Sequence, residues 1–166
     1  MRERLTARVL LLDPNDRILL MKGRLPSDPG APGAWFTVGG GVEPGESLAA
    51  AAAREVREET GFEGVEIGEV AWRGEQILHD RKGRPVLFKE TYFVARCAGG
   101  EPCRVGWQAL EREFVDDMRW WTLGDLAACG EPVFPVGLAQ RLIDLLAERL
   151  QGEGIGAQLA KSDDSR

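Results

Sequence analysis

Glu55, Glu58 and Glu59 stand in the run Arg-Glu-Val-Arg-Glu-Glu that begins at Arg54. On a helix these three acids fall within an arc of about 100°, beside an apolar arc formed by Leu48, Ala49, Ala52, Ala53 and Val56. Like charges at i, i+3 and i, i+4 weaken a helix by a few tenths of a kcal/mol per pair, so this spacing asks for a cation. Arg54, four residues before Glu58, supplies part of the compensation. A hard divalent cation, which binds carboxylate and carbonyl oxygens, would supply more. An isolated acidic run of this kind is more often a solvated helix face. Its neighbours shift the balance: Gly39-Gly40-Gly41 lies just upstream and reads as a loop able to fold back over the helix N-terminus, where free amides favour an anion. Loop amides for one phosphate and carboxylate-held cations for the other would form a clamp for a diphosphate.

The segment from Gly39 to Phe62, GGGVEPGESLAAAAAREVREETGF, resembles the Nudix box, G-x5-E-x7-R-E-U-x-E-E-x-G-U with U apolar. Gly40, Glu46, Arg54, Glu55, Glu58, Glu59 and Gly61 meet its fixed positions, and Val56 and Phe62 its apolar ones. The resemblance implies an α/β fold, the Nudix-type α/β/α sandwich around a mixed β-sheet. It also implies a pyrophosphohydrolase in which water attacks the diphosphate linkage of a nucleoside diphosphate derivative, with Mg2+ or Mn2+ as cofactor. By the same resemblance Glu58 and Glu59 are metal ligands, Glu55 is a further ligand or the base acting on water, and the carbonyl of Gly39 or Gly40 is another oxygen donor. Arg54 would orient the carboxylates, and Glu46, near the helix start, would be its structural partner. Family members place the base either on this helix or on a separate segment, which leaves Glu55, Glu90, Glu111 and Glu113 as candidates.

The elements that must position these groups are legible to different degrees. Ser47 to Thr60 reads as a helix, with Ser47 as N-cap, a run of alanines and Gly61 at the left-handed C′ position. Leu5–Asp13 and Ile18–Met21 flank the turn residues Pro14-Asn15-Asp16 and predict a β-hairpin, as do Glu69–Leu78 and Val86–Arg96 around Asp80-Arg81-Lys82-Gly83-Arg84. The stretch from Gly23 to Ala34, with Pro26, Pro29 and Pro32, is a surface loop; Trp35–Val38 is a short strand. Arg119–Leu123 is a further strand with a short helix after it, and Leu138, Leu142, Leu145, Leu146 and Leu150 recur at helical spacing. This organisation predicts one domain over 1–151, and the polar, glycine-containing residues 152–166 read as a disordered tail.

Composition bounds the partners. With 166 residues and a formal net charge of −6, the chain has one domain's worth of core and repels extended nucleic acid. A small phosphate-bearing substrate is compatible with that charge, because a bound divalent cation reverses the local field. Cys97, Cys103 and Cys129 form neither a disulfide framework nor a zinc spacing, and a single His79 excludes a two-imidazole metal site. The apolar run Val9–Leu12 is too short for a membrane span, so the expectation is a cytoplasmic protein, with a homodimer compatible. Subfamily signatures speak by absence: the S-Q-P-W-P-F-P run of dinucleotide pyrophosphatases does not follow Phe62, and Leu78 and His79 replace the proline of ADP-ribose hydrolases or the tyrosine of diadenosine polyphosphate hydrolases. The sequence therefore points first to a nucleoside triphosphate; Trp35 or Trp72 could stack on a base, though core packing is the commoner role for such residues and the expected one for both. The alternative is a nucleotide-binding regulator that keeps this fold without catalysis.

Overall fold

The structure, a computed structural model, describes residues 1–24, 28 and 30–163, without the side chains of 109–111 and 153–163. Its elements follow in the order β1 (Arg2–Leu12), β2 (Ile18–Gly23), β3 (Ala34–Gly41), α1 (Leu48–Thr60), β4 (Ile67–His79), β5 (Pro85–Arg96), α2 (Ala109–Phe114), β6 (Val115–Trp121), α3 (Leu123–Ala127), β7 (Val133–Phe134) and α4 (Leu138–Asp163). The strands form one mixed sheet whose axis is a long parallel pair, β1 with β5, in register from Arg2↔Val86 to Leu12↔Arg96. β4 covers the outer edge of β5 as the expected antiparallel hairpin, and its turn is fixed by the Asp80 carboxylate, which accepts from the N–H groups of Lys82 and Arg84.

The first expected hairpin is only partly present. The Asp13 carboxylate accepts from the Asn15 and Arg17 amides and closes the turn, but β1 and β2 pair directly only at Leu12↔Ile18. They then diverge: β2 runs between β3 and β6, while β1 gives that edge to β3 at Thr6↔Gly41, Ala7↔Gly40, Arg8↔Gly39 and Val9↔Val38. The three glycines expected in a loop are therefore the end of strand β3, extended by pairing with β1 rather than by their own propensity. α4 continues to Asp163, through the segment read from sequence as a tail from Gly152.

Alternation along β1 divides the core in two. Val9 and Leu11 face α1 and pack with Val38, Ala51, Ala52, Val56 and Phe93. Leu10 and Leu12 face the other way, with Ile18, Leu20, Trp35, Leu126, Leu138 and Leu142, and so pack under α3 and α4. Helices on both faces of a mixed sheet give the expected α/β/α sandwich. The same alternation places Arg8, the charged residue in this otherwise apolar part of β1, on the α4 face.

Candidate active site

α1 is set by local chemistry. Ser47 Oγ accepts from the Ala50 N–H at 3.1 Å at the start, and Gly61, at φ 75°, donates to the Arg57 carbonyl at the end. The last turn is held from outside by a segment that the sequence did not mark. Trp107 Nε1 donates to the Glu59 carbonyl at 2.6 Å, the Cys103 N–H to the Thr60 carbonyl at 2.6 Å, and Gly106 lies against the backbone of Glu58, where a side chain would collide. The turn carrying Glu58 and Glu59 thus has no freedom to fray.

Arg54 organises the carboxylates. Its Nε and Nη2 donate to the two oxygens of Glu46 at 2.8 and 2.9 Å, Nη1 donates to Glu55 at 3.0 Å and to Glu58 at 3.2 Å, and Nη2 also reaches the Gly41 carbonyl at 2.9 Å. All five N–H directions of the guanidinium are engaged. The Arg54 guanidinium, and then the Glu43 N–H, hold the Glu46 carboxyl down at about 2, and those carboxylates push Arg54 well above its ordinary value. Glu46 therefore stays ionised and ties the chain before α1 to its middle.

The remaining acids meet the end of β3. Glu59 is buried and accepts from the Gly39 N–H at 2.8 Å; the Glu55 carboxylate, also buried, packs against Cα of Gly40 in space that any Cβ there would occupy. Gly39 itself has φ 138°, and a Cβ on it would run into the Ala7 carbonyl of the adjacent strand. Glycine at both positions lets the strand end lie directly over the acidic face of the helix. Among the described residues no group of three or more His, Cys, Asp or Glu side chains is placed to hold a metal ion. The acids are instead spread around Arg54 and Gly39, with Glu58 the most exposed of the three helix acids. The donor set is nonetheless of the kind a hard cation takes: carboxylate oxygens on one face of α1 and a strand-end carbonyl beside them. The space above Gly40 is already filled by one of those carboxylates.

On the α4 face the Gly39 carbonyl accepts from Arg8 Nη1 at 3.3 Å. Arg8 Nε pairs at 3.3 Å with Glu90, a buried acid that also accepts from Gln76 Nε2 at 3.0 Å and from the Tyr92 hydroxyl at 2.9 Å. Burial, and then the charge of Glu90, push the Tyr92 phenol above its ordinary value, so it stays a donor. This network lies along a cavity of about 440 Å³ whose walls include Phe36, Leu78 and Phe134, a volume within the range of small-ligand sites. The sequence marked Glu90 but not Arg8, Gln76 or Tyr92. The available signal was an arginine in the middle of an apolar strand.

The other marked residues divide. Glu113 is exposed at the end of α2. Glu111 lies in α2, but its side chain falls outside the described residues. Trp35 is buried, meets Trp121 edge to face and donates from Nε1 to Glu131 at 2.6 Å, so it packs the core rather than facing a ligand. Trp72 lies beside Tyr92 and beneath the Arg141 guanidinium.

The helix–sheet–helix layers and the carboxylate helix tied to a glycine strand end define the class, and comparison with known proteins gives the family. The NUDIX domain family model matches residues 2–139, and the chain belongs to the Nudix family. It is 33% identical over 145 residues to the NAD-capped RNA hydrolase NudC of Stutzerimonas stutzeri (strain A1501), an alignment covering 86% of this chain and 44% of that protein. The chain thus spans less than half the length of this curated relative. The fold is shared with the MutT protein from Methanosarcina mazei Go1, at TM-score 0.63 and 19% identity, covering 89% of this chain and 96% of that one. It is shared equally with the E. coli dihydroneopterin triphosphate pyrophosphohydrolase, at TM-score 0.63 and 18% identity, covering 89% and 99%. Among the described residues no helix is long and apolar enough to cross a membrane.

Proposed function

We propose that this chain hydrolyses the diphosphate linkage of a nucleoside diphosphate derivative, with Mg2+ or Mn2+ as cofactor. The observation that carries the reading is the joint placement of Gly39 and the α1 acids: Glu59 holds the Gly39 N–H, Arg54 gathers Glu46, Glu55 and Glu58, and Arg8, which donates to the Gly39 carbonyl, lines the cavity. Glu58 and Glu59, with Glu55 and the Gly39 carbonyl, are the residues that would hold the metal. The carbonyl oxygen has a second lone pair, so the bond from Arg8 does not exclude it. A bound divalent cation neutralises phosphate charge and acidifies a water.

The chain's own groups do the rest. Arg54 fixes the rotamers of Glu55 and Glu58, so that their oxygens are oriented before substrate arrives, which is the preorganisation that phosphoryl transfer draws on. The proton of the attacking water goes to Glu55, Glu111 or Glu113, and two variants separate them. Turnover lowered about 100-fold or more in Glu111→Gln assigns the base to Glu111, and a loss under about tenfold rejects it; the same thresholds in Glu113→Gln decide for or against Glu113, and if both are rejected the base is Glu55. Glu90 is set aside for this step because it is buried among Arg8, Gln76 and Tyr92 on the α4 face, across the sheet from the α1 acids.

Nucleoside triphosphates are the first substrates in this reading, in keeping with the missing dinucleotide signature after Phe62. The name of the curated relatives puts NAD second, since it too contains a diphosphate bridge. The test is release of phosphate, pyrophosphate or nucleoside monophosphate from the four nucleoside triphosphates, NAD and ADP-ribose, with Mg2+ and with a chelator. Metal-dependent release from at least one compound is expected. Nucleotide binding without hydrolysis of any would favour the regulator alternative.

A further inference from the structure

On the α1 side, Glu46, Glu55 and Glu58 gather on the guanidinium of Arg54, which has no N–H left to offer a ligand, and Glu59 accepts from the Gly39 N–H. The cavity on the α4 side is lined by two arginines, Arg8 and Arg24, and two acids, Asp28 and Glu90. Arg8 lines the cavity and is 19% exposed; one of its N–H groups goes to Glu90 and one to Gly39. Three of its five N–H groups have no protein partner among the described residues. Burying an arginine–glutamate pair costs desolvation that apolar side chains at these positions would avoid, so the pair calls for a use beyond packing. Glu90 cannot swing away from Arg8, because Gln76 holds one of its oxygens and Tyr92 the other. The guanidinium is thereby fixed in the wall of a cavity that is also lined by the apolar side chains of Phe36, Leu78 and Phe134.

We infer that Arg8 is a substrate-binding residue of this cavity, donating its free N–H groups to a phosphate of a nucleoside phosphate whose base lies against Phe36, Leu78 and Phe134. A planar fork of N–H donors fits two oxygens of one phosphate, which a lysine ammonium does not. Glu90 is then a positioning residue that orients Arg8, with Gln76 and Tyr92 holding Glu90. Because Arg8 also touches the Gly39 carbonyl, the phosphate it holds lies next to the strand end that Glu59 ties to α1. The inference rests on the hydrolase reading for the identity of that phosphate as part of a diphosphate.

The test uses equilibrium binding in a chelator, by calorimetry, of AMP, GMP, CMP and UMP against their parent nucleosides. At least one monophosphate should bind the wild type about tenfold or more tighter than its nucleoside, a difference worth about 1.4 kcal/mol. Arg8→Gln alone strands Glu90 without its cation and risks misfolding, so the decisive variant is Arg8→Gln/Glu90→Gln, which removes both charges and keeps the volume. If Arg8 binds phosphate, the double variant folds and loses the preference for the monophosphate, while Arg8→Lys keeps part of it. If Arg8 serves only to neutralise Glu90, the double variant keeps the whole preference, and the inference is overturned. It is equally overturned if the wild type binds no monophosphate more tightly than its nucleoside. Hydrolysis with a preference unaffected by the double variant removes this inference alone. A preference that the double variant abolishes, in a protein that hydrolyses nothing, keeps it and removes the hydrolase reading.

Discussion

Replacing Arg54 with methionine keeps the aliphatic stem and deletes the fork that joins Glu46, Glu55, Glu58 and the Gly41 carbonyl. Arg54 is 15% exposed, Glu55 10% and Glu58 29%, so the cluster sits nearer the buried limit than the surface one. Removing one partner of a buried ion pair costs about 3–5 kcal/mol, and an exposed pair contributes about 1 kcal/mol or less. Between those limits the expected loss is about 2–4 kcal/mol, or roughly 4–16 °C in Tm for a domain of this size. The loss should be visible by calorimetry in chelator, and added Mg2+ should recover part of it, because the uncompensated acids then gain a cation that binds only the folded state. Arg54→Lys should fall between the two proteins, since one ammonium cannot reach all four partners. A Tm for Arg54→Met equal to that of the wild type would refute the account of Arg54 as the group that holds this face together.

Further consequences follow from the same geometry. Gly39→Ala forces a strained φ and drives a Cβ into the Ala7 carbonyl, so the variant should fail to give folded protein by circular dichroism; Gly40→Ala meets only the movable Glu55 carboxylate and should fold while losing most of its activity. Glu46 has its carboxyl held at about 2 against an ordinary 4.5, so its contribution to stability is full above pH 4.5 and disappears as the pH falls through 2. Urea denaturation across that range should show a flatter acid limb for Glu46→Gln than for wild type, and identical limbs would reject the assignment. Trp107→Phe removes the indole bond to the Glu59 carbonyl, and should raise amide exchange in the last turn of α1 while leaving exchange at its Ser47 end unchanged.

What could be read from the sequence follows the range of the interactions involved. α1 was legible because its determinants are local: Ser47, the alanine run and Gly61 act within a few residues of what they control. The β4–β5 hairpin was legible for the same reason, through the Asp80 turn. The fate of β1 was not, because its main partner β5 lies some eighty residues away and nothing in the turn at Asp13 announces it. Gly39 to Gly41 carry no strand propensity, so their extended state is set by β1 and invisible without it. The candidate site divides the same way. The spacing placed Glu55, Glu58, Glu59 and Arg54 on one helix, whereas the Arg8–Glu90 pair spans β1 and β5 and emerges only when those strands are paired.

Hydrolysis by the acidic face of α1 acting with Gly39 stands or falls with Glu59→Gln. This substitution changes a charged oxygen donor to a neutral one, while its remaining carbonyl oxygen can still accept from the Gly39 N–H. The measurement is single-turnover release of product from whichever nucleotide the wild type cleaves in Mg2+, with folding checked by Tm. The variant should fold while its rate falls about 100-fold or more, as expected when a group stabilising transition-state charge is removed. A folded Glu59→Gln protein that turns over at the wild-type rate would contradict it.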